Sequence, residues 1–385
     1  MSHLRDQYLL NPDVTFLNHG SFGATPRPVF EAYQAWQLKL ERQPVAFMEY
    51  ALSPGLREMR ERLAGYLNCG ADELAPVTNA TFGVNLVARS LKLNAGDEVL
   101  TCDHEYGACD GAWATLCERR GVRYIRQPLP LPVGGTDEVI DQLWQGVTAN
   151  TKVIYLSHIT SSTAMMFPVA EICARARAEG IMTVIDGAHA PGQVELDMEA
   201  ISADFYIGNL HKWVSAAKGV GFLYACRDRQ HLLEPLVFSW DWGNTPHQDS
   251  GTPFLNRIQW WGTQDPAAFV SVPAALDFME QHDWPTVRAN CTKLVRQWHR
   301  LASELTGKPS AYADLDRMPP QMAIVEIPKQ ADLRAFKVRF NQEFNIEIPC
   351  IEWQDRHFIR ISIQAYNQPA DVEHLLSAME ALLRK

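Results

Sequence analysis

The chain has 385 residues, of which 46% are hydrophobic and 21% charged, and its formal net charge is −10. That is the composition of an ordinary globular enzyme, with length enough for one large unit and a smaller one. An acidic balance with no basic block argues against nucleic acid or an anionic membrane as the main partner, and no uncharged apolar run is long enough to span a bilayer.

The opening residues, Met1-Ser-His-Leu-Arg-Asp-Gln, lack the apolar core of a secretory signal. The eight cysteines are scattered with no Cys-x-x-Cys pair, so reduced, structural thiols and a cytoplasmic location are expected. The twelve histidines contain no His-Glu-x-x-His and no metal-ligand spacing, so no metal is expected.

Residues 1–22 read as an arm. Within it Val14-Thr-Phe-Leu17 has the pattern of a short strand and runs into Asn18-His-Gly-Ser-Phe-Gly23, a turn-rich loop whose glycines allow close backbone approach. Phe30, Tyr33, Trp36 and Leu40 recur at helical steps between Pro28 and Glu41. Phe47 to Tyr50 reads as a loop. Pro54, placed like a first-turn proline, opens a second amphipathic helix marked by Leu56, Met59, Leu63 and Tyr66-Leu67. Both helices read as packing elements.

Pro76-Val-Thr-Asn79-Ala80-Thr81 is an apolar run that ends in small amide and hydroxyl residues before a helical pattern. It is either an ordinary N-cap or an anion site at a helix start. A βα cadence follows. Strands are expected at Glu98–Cys102, Val122–Ile125, Lys152–Ser157 and Met182–Asp186, with helices at Ala108–Arg119, Asp137–Gly146 and Val169–Glu179. Phe205–Ile207 and Val220–Tyr224 add strands. Such alternation predicts an α/β fold with a mostly parallel sheet covered on both faces. Ligands of such sheets gather beyond the carboxyl ends of strands. Those ends carry Glu105-Tyr106, Ser157-His158, Asp186-Gly-Ala-His189 and Asn209-Leu-His211-Lys212.

Residues 229–265 form a long excursion holding four of the eleven tryptophans, Trp240, Trp242, Trp260 and Trp261. A loop of that length is functional or covers an interface. Helices are expected at Ala267–Glu280 and Pro285–Leu305. A smaller α+β part then follows. Its strands are Gln321–Glu326, Ile346–Ile348 and Phe358–Ile363, and its helices Asp332–Phe344 and Pro369–Leu383. The division expected is an arm at 1–22, a large unit at 23–285 and a small unit at 286–385. Arg360 stands in an otherwise apolar strand; buried there, it would need an anion, and a guanidinium suits a carboxylate.

The strand-end residues answer one chemical problem. A lysine in an aromatic-lined pocket loses its charge easily and then attacks an aldehyde, as Lys212 would. A carboxylate such as Asp186 can keep a pyridine nitrogen protonated, and the helix start at Asn79-Ala-Thr81 can hold a phosphate. Together these describe a site for pyridoxal phosphate (PLP). A nucleotide-binding α/β enzyme is the competing reading, but the sequence has neither a Gly-x-Gly-x-x-Gly after its first strand nor a phosphate loop.

In this ordered set the chain resembles the class V, or cysteine-desulfurase-like, group of fold-type I PLP enzymes. The residues are Thr78-Asn-Ala-Thr81, Glu105-Tyr106, Asp186-Gly-Ala-His189, Asn209-Leu-His-Lys212, Gly262-Thr263 and Arg360-Ile-Ser. Phe16-Leu-Asn-His-Gly-Ser-Phe-Gly23, Ser157-His-Ile-Thr-Ser-Ser-Thr-Ala164 and Arg360-Ile-Ser-Ile-Gln-Ala-Tyr366 resemble its isopenicillin N epimerase-like branch.

The resemblance implies a seven-stranded, mostly parallel sheet in a large domain, a small C-terminal domain and a homodimer with shared sites. It implies Lys212 as the Schiff-base lysine and Cα proton shuttle, Asp186 at the pyridine nitrogen and His189 near the ring oxygen. Ala80, Thr81, Asn209 and His211 would hold phosphate, with Thr263 donated by a neighbouring subunit. Tyr106 stands where the group has a stacking histidine. Arg360 would grip the substrate carboxylate, with Asn18 and His19 as further substrate-side contacts. The implied activity is removal of the Cα proton of an amino acid, as in an epimerase. Carbon–sulfur lyase or desulfurase, aminotransferase and an inactive PLP-binding protein are the alternatives. A desulfurase needs a mobile cysteine; the nearest candidate, Cys350, has the look of a strand-end residue instead.

Overall fold

The structure, a computed structural model, describes residues 2–239 and 250–384. Trp240 and Trp242 lie outside the described residues.

Two helices, Arg27–Arg42 and Leu52–Leu67, precede the main sheet. The sheet's strands are β1 (Leu74–Val77), β2 (Glu98–Cys102), β3 (Arg123–Gln127), β4 (Thr151–Ser157), β5 (Met182–Gly187), β6 (Phe205–Asn209) and β7 (Gly221–Ala225). Their spatial order is β1-β7-β6-β5-β4-β2-β3. Only β7 runs against its neighbours, pairing antiparallel with β1 and β6. This is the seven-stranded, mostly parallel sheet expected.

Alternate residues of each strand feed opposite cores. Val99, Tyr155, Val184, Phe205 and Ile207 belong to one buried cluster. Leu100, Ile154, Ile185 and Tyr206 belong to the other. Both faces are therefore buried, which is why the strands read as near-continuous apolar runs. Register aligns the carboxyl ends, with Ser157 beside Asp186 and Gly187 beside Gly208.

A second sheet has three strands, β8 (Met322–Ile327), β9 (Cys350–Trp353) and β10 (Arg356–Ser362), with β10 in the middle. The strand β9 has no counterpart in the sequence reading. Its connection to β10 uses Gln354 and Asp355 at φ +47° and +61°, so the usual glycine or asparagine turn signal is absent. The arm is stitched to this part of the chain. Thr15–Phe16 pairs with Ile346–Glu347, and Ser362 N–H donates to the Leu17 carbonyl at 2.9 Å.

Three further expectations need correction. Phe47–Tyr50 is not a loop: Pro44–Ala46 and a wide helical turn, Phe47–Ala51, lead into the next helix, because Phe47 is buried edge-on against Trp36. The helix expected at 267–280 breaks at Ser271, between Ala267–Val270 and Val272–Gln281, where Pro273 restarts it. The segment after Asn18 closes into a helical turn, His19–Phe22.

That turn ends on Gly23 at φ +72°, where a Cβ would stand 2.1 Å from the His211 carbonyl oxygen. The arm thus lies directly on the segment that carries Lys212. Gly23→Ala is expected to lower the thermal midpoint through left-handed strain plus this clash, at about 1–3 kcal/mol for the strain alone. A midpoint equal to wild type would show that the close approach is not needed.

Candidate active site

A cavity of about 580 Å³ opens at the carboxyl ends of the main sheet, a volume suited to a small molecule. Its wall includes Asn79, Ala80, Thr81, Tyr106, Asp186, His189, Asn209, His211 and Lys212, which were singled out in the sequence. It also includes Ser21, Phe22, Ser157 and Ser161.

The Lys212 amine, at the end of the β6 loop, is 3.0 Å from His189 Nε2. Desolvation by the surrounding protein lowers its pKa from 10.5 to about 8, Asp186 opposing and Arg360 assisting. Asp186 sits at the end of β5, buried. Its Oδ1 accepts from the Ala188 N–H at 2.9 Å, and Tyr155 Oη–H donates to Oδ2 at 3.4 Å. Burial raises its pKa, while the Ala188 N–H and Lys212 draw it down.

The helix Ala80–Ser90 begins at the cavity, capped by Asn79 Oδ1, which accepts from the Phe82 N–H. The Ala80 N–H is already donated to Asn209 Oδ1 at 2.8 Å. The N–H of Thr81 is thus left pointing out of the helix start without a partner among the described residues, an anion-binding arrangement. His211 Nδ1–H donates to the Val220 carbonyl at 2.9 Å, which leaves Nε2 as the free nitrogen. Burial lowers the pKa of His211 to about 4. Tyr106 is 47% exposed, and no other ring stacks on it among the described residues.

Arg360 is buried in the middle of the small sheet, and no carboxylate pairs with it among the described residues. Nη1–H donates to the carbonyl and hydroxyl of Ser161, and Nη2–H to Ser21 Oγ at 3.3 Å; Nε–H is unpartnered. Desolvation lowers its pKa to about 10. Among the described residues this buried guanidinium meets only neutral acceptors, and a buried charge of that kind favours an anion beside it. Asn18 reaches this site indirectly, since Ser21 Oγ–H donates to Asn18 Oδ1 at 2.6 Å.

Two sequence-chosen residues stand elsewhere. His19 is fully buried, with Nε2–H donating to the Lys212 carbonyl at 2.9 Å and Nδ1 accepting from Tyr366 Oη–H at 3.1 Å. Both ring nitrogens are engaged behind Lys212, so His19 braces that segment rather than facing the cavity. Thr263 is exposed and does not line the cavity of its own chain. Ser21 and Ser161 were missed as partners of Arg360. The signal available was their place in the two branch-like motifs, Asn18-His-Gly-Ser21 and Thr160-Ser161-Ser162-Thr163.

Comparison with known proteins shows the fold and the family. A C-DES variant with glycine covalently linked to its PLP cofactor superposes with a TM-score of 0.83, at 21% identity, covering 98% of each chain. The fold is that of the fold-type I PLP enzymes. The family model for class-V aminotransferases matches residues 24–375, and the chain belongs to that family, whose cofactor is pyridoxal phosphate. Isopenicillin N epimerase of Amycolatopsis lactamdurans is 33% identical, over 99% of this chain and 98% of its own. Putative L-cysteine desulfhydrase 1 of Oryza sativa subsp. japonica is 30% identical, over 96% of this chain and 83% of its own. The donor set fits the cofactor, because the free Thr81 N–H, the enclosed Asp186 carboxyl and the weakly basic Lys212 amine line one cavity.

Burial holds several histidines neutral, with pKa values near 3 for His19 and near 4 for His158 and His211, against 6.5 unperturbed. Between these values the unfolded chain binds more protons than the folded one. Stability is therefore full above pH 6.5 and is lost as pH falls toward 4. The urea midpoint should drop across this window, and His158→Gln should flatten the drop; an unchanged slope would remove His158 from the account.

Proposed function

We propose that this enzyme removes the Cα proton of an amino-acid substrate held by its carboxylate, as an isopenicillin N epimerase-like enzyme, with Lys212 as the base. The observation that carries the reading is one cavity at which a weakly basic amine faces a wall backed by a buried arginine that has no counter-ion among the described residues. Lys212 Nζ is the attachment point for the cofactor's aldehyde and, once released, takes the proton. Asp186 pairs the pyridine nitrogen. The N–H and hydroxyl of Thr81, at the helix start that Asn209 ties down through the Ala80 N–H, would hold the phosphate, and His211 would join them on taking a proton at Nε2 from a phosphate that carries one. Tyr106 offers a ring face for stacking, and His189 stands by the ring oxygen.

When bound, pyridoxal phosphate supplies an electron sink for the pair left on Cα as the proton departs. Arg360, oriented by Ser21 and Ser161, binds the carboxylate and so brings the Cα–H toward Lys212. Thr263 serves the site of a second copy in a homodimer; its exposure away from its own cavity supports that reading.

A second reading, β-elimination of a sulfur substituent, shares the first step and is supported by the desulfhydrase relative. A persulfide relay through Cys350 is not supported. That thiol begins strand β9, and burial pushes its pKa up to about 12, which leaves almost no thiolate.

An amino-acid panel in deuterated water tests the function, with Lys212→Ala as the blank. Cα exchange with inversion and no release of pyruvate, ammonia or sulfide is the expected outcome. Release of a β-substituent moves the assignment to the lyase, keto-acid formation matched by cofactor amination moves it to an aminotransferase, and no exchange with any amino acid sinks catalysis altogether. Arg360→Gln should raise KM at least about thirtyfold, given the cost of about 2–5 kcal/mol for losing one partner of a buried charged pair. A KM within twofold of wild type would place the carboxylate elsewhere.

A further inference from the structure

Trp213 follows Lys212 and is fully enclosed. Its indole Nε1–H donates to His189 Nδ1 at 3.3 Å. On the far side of the same imidazole, Nε2 is 3.0 Å from Lys212 Nζ. An indole N–H can only donate, so Nδ1 must present a lone pair. A neutral imidazole with a bare Nδ1 carries its proton on Nε2. Enclosure keeps this ring neutral, with Lys212, Arg360 and His19 facing it as well. The Nε2–H then meets an amine that can accept a hydrogen bond only when uncharged, because an ammonium has three donors and no lone pair.

We propose that Trp213 is a positioning residue that fixes His189 as the Nε2–H tautomer and thereby favours the free amine of Lys212. The inference rests on the reading of Lys212 as the cofactor-holding base only for its consequence, which is that the amine is ready to attack an aldehyde or take a proton. The other groups facing Lys212 do not set this preference together. Asp186 and, were it ionised, Cys109 favour the ammonium, whereas Arg360 favours the amine. The tautomer adds a directional contribution that burial alone lacks. The Trp213 backbone is held by parts that do not titrate. Gln364 Nε2–H donates to the Trp213 carbonyl at 3.3 Å, and Gly192, at φ +85°, lies so close that a Cβ there would be 2.4 Å from the Trp213 carbonyl carbon.

Nitrogen NMR of the full-length chain labelled at histidine, with and without added pyridoxal phosphate, reads the tautomer directly. His189→Gln assigns the signal. The expected result is a proton on Nε2 in the wild type; a proton on Nδ1 overturns the proposal. Trp213→Phe keeps an aromatic ring and removes the donor. In the cofactor-free chain, the pH at which Lys212 becomes reactive toward acetic anhydride, followed by mass spectrometry, should rise by about one unit. That is about tenfold less free amine at a fixed lower pH. An unchanged Lys212 profile in a Trp213→Phe chain with wild-type melting overturns the proposal. Should that variant fail to fold, the wild-type tautomer decides the matter alone. A wild-type chain that attaches the cofactor away from Lys212 would strike the proposed function instead and leave the tautomer result standing.

Discussion

Lys212 lines the cavity, Arg360 stands behind the Ser21 and Ser161 of its wall, and Asp186 is the carboxylate that acts on Lys212. Both cations are enclosed, and taking a group out of water disfavours its charged form. A guanidinium hardly ever gives up its proton, whereas an ammonium does so readily once desolvated. Desolvation therefore tells at Lys212, where Asp186 opposes it and Arg360 adds only a lesser push, and the charge on Arg360 persists. Because Ser21 and Ser161 are neutral acceptors, they orient that charge without cancelling it. Burial thus yields both a weakly basic amine and an uncancelled positive charge behind the same wall.

This arrangement depends on three segments far apart in the chain. Strand ends of the main sheet supply Asp186 and Lys212. The small sheet supplies Arg360, and just beyond it Gln364 and Tyr366. The arm supplies His19 and Ser21. The arm and the residues after Arg360 meet behind Lys212, where His19 holds the Lys212 carbonyl and Gln364 holds that of Trp213. Ser362 joins the two through the Leu17 carbonyl. A change that loosens the arm is therefore felt twice, at the lysine backbone through His19 and at the guanidinium through Ser21.

What was legible in the sequence follows from what local pattern can encode. Strands buried on both faces produce unbroken apolar runs, and the polar residues that end them must lie at the sheet's carboxyl edge, so Asp186, Asn209 and Lys212 could be placed together before any coordinates. Strand β9 escaped because its turn uses Gln354 and Asp355, which carry no glycine signal. His19 was read as a substrate contact because a histidine beside glycines in a loop looks accessible. Its burial is decided by Tyr366, which lies 347 positions away. The partners of Arg360 escaped for the same reason, since a serine in a loop says nothing about which guanidinium will find it.

The proton inventory narrows the chemistry further. His19, His189 and His211 are all held neutral, and the thiols of Cys109 and Cys350 and the phenol of Tyr155 are held protonated by burial. Glu105, pushed up to about 7, could exchange a proton near neutrality, but Ser157 occupies both its oxygens, and it is Ser157, not Glu105, that lines the cavity. Lys212, near 8, is then the group at the wall whose two protonation states are both populated at neutral pH. A base poised close to the working pH transfers protons most effectively. The histidines around Lys212 therefore act through the hydrogen bonds they fix rather than by titrating near neutrality themselves.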